Sequence, residues 1–172
     1  ERSVSGLNKA RPATLALMAL LMLSTTQSQG RAPVSKSPPP SQRLALLVGI
    51  SAYDQSGQQS GLVPWPPLHT EPDLQQLKAA LLHLGFAASD IVVLRDQAAS
   101  RQNIRATFRT HLIEKATPGS QVVFHFSGHG QQVADDNGDE LDGLDETLVP
   151  SDARDQRASA GARTNIRDDE VG

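Results

Sequence analysis

The chain has 172 residues, with 16 Lys/Arg against 19 Asp/Glu and a formal net charge of -3, which is enough for one domain with a sizeable core. It contains no cysteine, which excludes disulfides, thiolate metal sites and a thiol nucleophile within these residues. No basic patch with interleaved aromatics is present, so no nucleic-acid partner is expected.

Charge is unevenly spread. Residues 1–43 carry six Lys/Arg and one Glu, whereas residues 135–152 carry eight Asp/Glu and no Lys or Arg. Lys9 and Arg11 precede an apolar run, Ala13 to Leu23. That run is shorter than the roughly 20 residues a spanning helix needs, so no stable membrane span is expected. A basic flank before a short apolar stretch fits a signal peptide-like leader over residues 1–30, although S-T-T-Q-S-Q-G lacks a clean A-x-A cleavage site. The competing readings are an apolar helix packed on the domain and a frame read upstream of the true start. The leader predicts a secreted or periplasmic protein, with a cytoplasmic one as the alternative. Residues 31–42, R-A-P-V-S-K-S-P-P-P-S-Q, form a Pro/Ser linker with too little apolar surface to fold.

The domain proper begins at residue 43. Leu44 to Ile50 is a continuous apolar run, the pattern of a strand buried on both faces. A polar segment from Ser51 to His69 follows. It is either a wall of a site or a plain surface connection. Thr70-Glu71-Pro72-Asp73 opens a helix, with Thr70 as N-cap and an acidic first turn. Leu74, Leu77, Leu81 and Leu84 recur along one face, and Gly85 ends it. Ile91 to Leu94 is a second short strand. Ser100 caps a second helix with Ile104, Phe108 and Leu112 on one face, closed by Pro118-Gly119. Gln121 to Ser127 is the third strand. Strands alternating with helices predict an α/β fold with a parallel sheet. The closing residues, I-R-D-D-E-V-G, read as the opening of a helix. With Glu1 rather than Met at the start, both ends suggest an incomplete reading frame.

In a parallel sheet the site lies beyond the carboxyl ends of the strands. Ser127, Gly128 and His129 fall there. A histidine at a strand end is suited to act as a base, because it titrates near neutrality. Gly128 and Gly130 leave room for a substrate backbone, and the Gly130 amide is placed to donate to a developing oxyanion. Other chemistries fail on the residues. A serine elbow needs G-x-S-x-G, and His125 stands at its first glycine. A zincin needs H-E-x-x-H on a helix, whereas His125 to His129 lacks the glutamate and begins on a strand. His125 reads as a core or helix-facing side chain, and His69, His83 and His111 as surface residues.

Residues 135–152 alternate glycine turns with carboxylates, a pattern that favours a hard cation over a merely solvated face. Asp135, Asn137, Asp139 and Glu146 occupy positions 1, 3, 5 and 12 of an EF-hand loop. Glu140 stands where its glycine should be, so the loop is not a regular EF-hand.

Together these stretches resemble the caspase-like cysteine peptidases, most closely the bacterial metacaspase type. The matching pieces are A-L-L-V-G-I-S-A-Y at 45–53, P-D-L-Q-Q-L at 72–77 and F-H-F-S-G-H-G-Q-Q at 124–132. They continue with the acidic stretch at 136–152 and N-I-R-D-D-E at 165–170. The resemblance implies a caspase-like three-layer sandwich over residues 43–172, with a mostly parallel central sheet flanked by helices. It implies a Cys/His dyad with His129 as the histidine and Gly130 as an oxyanion donor. It also implies a pocket containing Asp73 and Ser127 that takes a peptide or protein substrate with Arg or Lys before the cut. Calcium is the implied activating ion, with Asp145, Asp168 and Asp169 at the ligand positions.

The departure is the nucleophile. A caspase-type cysteine lies about 50 residues after the histidine, near position ~180. The expectation is therefore a fragment of a cysteine endopeptidase, inactive as it stands. The alternatives are an inactive binding or regulatory module and a calcium-binding structural domain. Oligomeric state is not legible.

Overall fold

The computed structural model describes residues 42–55 and 61–171. The expected leader and all of the expected linker except Gln42 lie outside the described residues, as does Gly57 of the first loop. Among the described residues no helix is long and apolar enough to cross a membrane.

Strand β1 (Arg43–Gly49) is the centre of a parallel sheet. It pairs with β2 (Ile91–Arg95) on one side and β3 (Gln121–Ser127) on the other, in the order β2-β1-β3. Leu46 sits opposite both Val92 and Phe124. Successive side chains alternate between faces. Ala45 and Leu47 pack with Leu74 and Leu81 of α1 (Glu71–His83), while Leu44, Leu46 and Val48 pack with Ile104 of α2 (Arg101–Thr107) and with Leu112. Helices thus cover both faces, giving the three expected layers. That is why β1 reads as an unbroken apolar run.

Helix α1 starts at the expected place, but Thr70 does not cap it through its side chain. Its hydroxyl is engaged by Ser51 Oγ at 2.9 Å, and its amide donates to the same oxygen. Gly85 ends the helix with φ +86. Leu84 was expected on the buried stripe but is 62% exposed. It is the C-cap residue, and its carbonyl accepts from Arg43 Nη1 at 2.7 Å. Ser100 does cap α2, accepting from the Asn103 amide.

After α2 the chain widens into a π-helical turn, Phe108–Ile113. The structure overturns the expectation that His111 is a surface residue. His111 lies seven residues after the buried Ile104 and so shares its face; it is 4% exposed and its Nε2 donates to Asp90 O at 2.9 Å. The acceptor role left to Nδ1 is met by Lys115 Nζ at 3.2 Å. His69 and His83 are exposed as expected.

Beyond β3 the chain makes a second, antiparallel sheet of order β4-β5-β6. Strands β4 (Gly130–Ala134) and β5 (Leu144–Leu148) form a hairpin whose connection is residues 135–143. Helix α3 (Ala158–Thr164) leads to β6 (Ile166–Arg167). The closing segment is therefore not the opening of an α-helix. Ile166 and Arg167 pair with β5, and a single 3-10 turn, Asp168–Glu170, follows. Glu170 ties that turn to α2 through Arg101 and Arg105, each at 3.0 Å.

Candidate functional site

His129 lies where β3 leaves the parallel sheet and β4 begins. The last rung of the β1–β3 ladder, Ile50 N to Ser127 O at 2.9 Å, holds the ends of both strands together. The chain after β1 therefore runs beside the chain after β3. Asp96, at the end of β2, fixes that first loop. Its φ is +42, and its Oδ1 accepts from the amides of Ser51 and Ala52 at 2.8 and 2.9 Å. The loop carries Tyr53, whose hydroxyl oxygen accepts from the His129 amide at 2.8 Å. The His129 carbonyl accepts from Val149 N at 3.0 Å. Both backbone groups of the histidine are thus fixed before its side chain is considered.

The imidazole is fixed as well. Nε2 lies 2.9 Å from the carbonyl oxygen of Pro66. A carbonyl only accepts, so the proton of the neutral ring sits on Nε2 and Nδ1 keeps its lone pair. The ring packs against Tyr53 and Trp65, with centroids 5.1 and 5.0 Å away. Both aromatics are buried, at 5% and 7% exposure. Burial pushes the Tyr53 phenol well above its ordinary value, with the Asp96 charge adding to the rise and the hydrogen bond from His129 opposing it. The described parts of the polar segment, through Tyr53, Trp65 and Pro66, therefore wall the histidine and are not a plain connection.

Gly128 is required sterically. A Cβ there would lie 2.7 Å from the Phe126 ring and 2.8 Å from the Tyr53 hydroxyl. Gly130 opens β4. The pair His129–Val149 is hydrogen-bonded across the hairpin, so the next pair, Gly130–Leu148, is not. The Gly130 amide consequently points away from β5.

On the α1 face, Ser127 Oγ donates to Asp73 Oδ2 at 2.8 Å. The structure thus joins these two expected pocket residues directly. Asp73 is exposed in the first turn of α1, where a carboxylate favours the positive helix end. His125 faces the same helix, as expected. Its Nε2 is buried without a hydrogen-bond partner. Burial holds its pKa down, and the Asp73 charge opposes that shift.

The acidic residues gather in two groups. Carboxylate oxygens of Asp135, Asp139 and Asp145 lie within 4.8 Å of one another, as do those of Glu140, Glu146 and Asp168. The expected trio is therefore divided. Asp145 sits in the first group and Asp168 in the second. Asp169 is in neither, and its Oδ2 accepts from Asn137 Nδ2 at 2.8 Å. The hairpin connection curls because Asp135 accepts from the amides of Asn137, Gly138 and Glu140. Those bonds, that from Gly138 first, hold the Asp135 pKa down.

Asp145 is 1% exposed, and neither of its oxygens accepts a hydrogen bond. Its charge is met by the Arg167 guanidinium. Desolvation and then the neighbouring carboxylates push Glu140 and Asp169 upward. The sequence reading missed Tyr53, Trp65, Pro66 and Asp96. One signal was available: Tyr53 and Trp65 are the chain's single tyrosine and single tryptophan, and both follow β1 at the carboxyl edge of the sheet.

Residues 43–171 match the family described as the metacaspase, peptidase C14 domain. Metacaspase-1 of Mycosarcoma maydis is 35% identical over 135 residues, covering 75% of this chain and 30% of that protein. Metacaspase-2 of Arabidopsis thaliana is 37% identical over 127 residues, covering 68% and 28%. The chain thus spans less than a third of the length of these two relatives. The crystal structure of a Geobacter sulfurreducens protein aligns with a TM-score of 0.56 at 27% identity, covering 76% of this chain and 43% of that one.

Replacing Gly128 with alanine should overpack the turn and cost about 1–3 kcal/mol, read as a lower urea midpoint. A stability within about 0.5 kcal/mol of the parent, the range of an ordinary surface change, contradicts the steric reading.

Proposed function

Because the chain belongs to the metacaspase peptidase C14 family, we propose that it forms the histidine-bearing part of a cysteine endopeptidase that cuts after Arg or Lys. The nucleophile comes from a longer polypeptide of which these residues are one portion. The observation that carries this reading is the hydrogen bond from His129 Nε2 to Pro66 O. It leaves Nδ1 as the basic atom at the edge where parallel sheets place their sites. The fold supports a completing segment. Among the described residues the outer edge of β3 has no strand paired to it. Beside it lies a groove of about 1010 Å³ lined by Phe108, Leu112, Val122, Phe124, Phe126 and Val171. A further parallel strand there would bring its carboxyl end next to His129.

In this mechanism Nδ1 of His129 takes the thiol proton and the thiolate attacks the scissile carbonyl. The Gly130 amide donates to the oxyanion that forms. As the C–N bond breaks, the imidazolium returns its proton to the leaving amine. Water then attacks the acyl-enzyme, giving its proton to Nδ1, and the released thiolate recovers that proton. Asp73 supplies the negative charge for a guanidinium or ammonium, and the Ser127 hydroxyl orients it. The absence of cysteine in the 172 residues favours a second reading, a module that binds substrate without cutting it.

Calcium is the ion proposed for the acidic hairpin. The buried carboxylate of Asp145, ion-paired to Arg167, lies beside the oxygens of Asp135 and Asp139, and three carboxylates so close fit a hard cation of flexible coordination. Asp168 would contribute from the adjoining group, and Asp169 through the Asn137 contact. When bound, calcium would supply charge neutralisation to the crowded carboxylates and order the connection between β4 and β5.

Two measurements test these readings. In a polypeptide that carries the nucleophile, peptides ending in Arg or Lys should be cleaved and those ending in Asp ignored. Asp73→Asn should lower kcat/KM by roughly tenfold to a hundredfold, the loss of one charge-assisted hydrogen bond. A preference for Asp refutes the pocket, and binding with no turnover favours the second reading.

Titration calorimetry of the chain with calcium should show saturable binding in the micromolar to millimolar range. Asp145→Asn should abolish it, and the Asp168→Ala, Asp169→Ala double variant should weaken it. No saturable heat rules out the calcium site, and heat unchanged in both variants rules out these ligands.

A further inference from the structure

We propose that Trp65 is a positioning residue for His129, holding the imidazole in the one orientation that leaves Nδ1 free to act. The inference rests on the histidine role proposed above, but its geometry stands independently. The rings of His129, Tyr53 and Trp65 meet in a triangle. Trp65 lies 5.0 Å from His129 at 33°, Tyr53 lies 5.1 Å from it at 47°, and the two larger rings are 6.3 Å apart. Tyr53 is already committed to the backbone of His129. The imidazole side chain itself touches both rings, but its hydrogen bond is to the Trp65–Pro66 pair, which adds one carbonyl to one ring face.

The sequence around Trp65 explains how that pair stays in place. Trp65 is 7% exposed, while Pro66 and Pro67 on its far side are exposed. The indole is thus an apolar anchor in a segment that otherwise lies on the surface, and it packs in the main core cluster. Its carbonyl accepts from Gln55 Nε2 at 2.9 Å. Pro66 has its φ set by its ring, and Pro67 restricts Pro66 to extended backbone. Once Trp65 is buried, the direction of the Pro66 carbonyl follows, and with it the position of the Nε2 proton.

The indole is not there for its own hydrogen bond, because Nε1 is buried and has no partner. A buried tryptophan usually finds one. Its position is set by its faces, one of which lies against His129. That face is also the kind of surface that attracts a cation, which suits a ring that must carry a proton during turnover. A leucine would keep the apolar bulk and lose the face. A phenylalanine would keep a face and remove the orphan N–H.

Nitrogen-15 NMR of the histidine rings in the chain tests this without any cleavage assay. The His129 ring protons should be shifted upfield by the indole in the unmodified chain, and its neutral ring should be protonated at Nε2. Trp65→Phe should preserve the Nε2 proton. In Trp65→Leu that proton should exchange with water about fivefold faster, the factor that loss of one net hydrogen bond implies, and the Nδ1-protonated form should appear. His111, pinned to Asp90 O by the same nitrogen, is the internal reference and should be unchanged in every variant.

Equal exchange in Trp65→Leu and the parent overturns the proposal, as does equal loss in Trp65→Leu and Trp65→Phe. Absence of the upfield shift overturns it even if a variant fails to fold. Failure of the peptidase reading would leave all of these resonances as predicted.

Discussion

The rung that joins Ile50 N to Ser127 O is the constraint on which the site depends. It is the last bond of a ladder that begins with Arg43 opposite Gln121. Because the two strands are parallel, both carboxyl ends emerge at one edge. Tyr53 is three residues past Ile50, and His129 is two past Ser127. A one-residue slip would carry the side chains of β3 to the opposite face. Phe126 would lose its core and Ser127 would lose Asp73. The register is held by burial of β1 on both faces, where Leu44 to Val48 are at most 2% exposed. Core packing, through register, therefore sets the chemistry at the edge.

The second sheet hangs from that edge and is organised by charge as well as by packing. Asp145 faces inward from β5, opposite Val133, with Arg167 of β6 as its counter-charge. Removing Arg167 would leave a buried carboxylate unpaired, a costly state. Arg167 also reaches Asp136 Oδ2 at 3.1 Å and the Ala134 carbonyl at 3.2 Å. One arginine thus joins the base of the acidic hairpin to the strand after α3. Three residues on, Glu170 does the reverse, gathering two arginines of α2. The two clamps fix the 3-10 turn that lies between the groove beside β3 and the carboxylate cluster.

The parallel sheet, both long helices and the position of His129 were legible because their signals are local. The strand from Gln121 to Ser127 needed only its apolar run and Gly128 to be bounded correctly. Ser100 capped its helix as its side chain dictates. Thr70 did not, because a tertiary partner, Ser51, took its hydroxyl. His111 was misplaced because a polar residue was read as exposed, although it stands seven residues after Ile104 and so on the buried face. The closing residues were misread because two of them pair with β5, a contact of long sequence separation. The Trp65–Pro66 support was hidden for the same reason: it is more than sixty residues from His129 in the chain. Asp145 was an expected ligand by resemblance and Asp135 and Asp139 stood at loop positions 1 and 5, but that these three carboxylates meet depends on how the hairpin connection folds around its own amides.

The central claim is that His129 is half of a dyad whose other half approaches from the β3 edge, on the Nδ1 side of the ring. A crystal structure of the natural polypeptide containing these residues tests it most directly. The account predicts a strand paired to the free edge of β3 and a cysteine Sγ within reach of His129 Nδ1, about 3 Å in a competent dyad, with Nε2 still on Pro66 O. A structure with no cysteine near Nδ1, or with the ring turned so that Nδ1 faces Pro66, would contradict it.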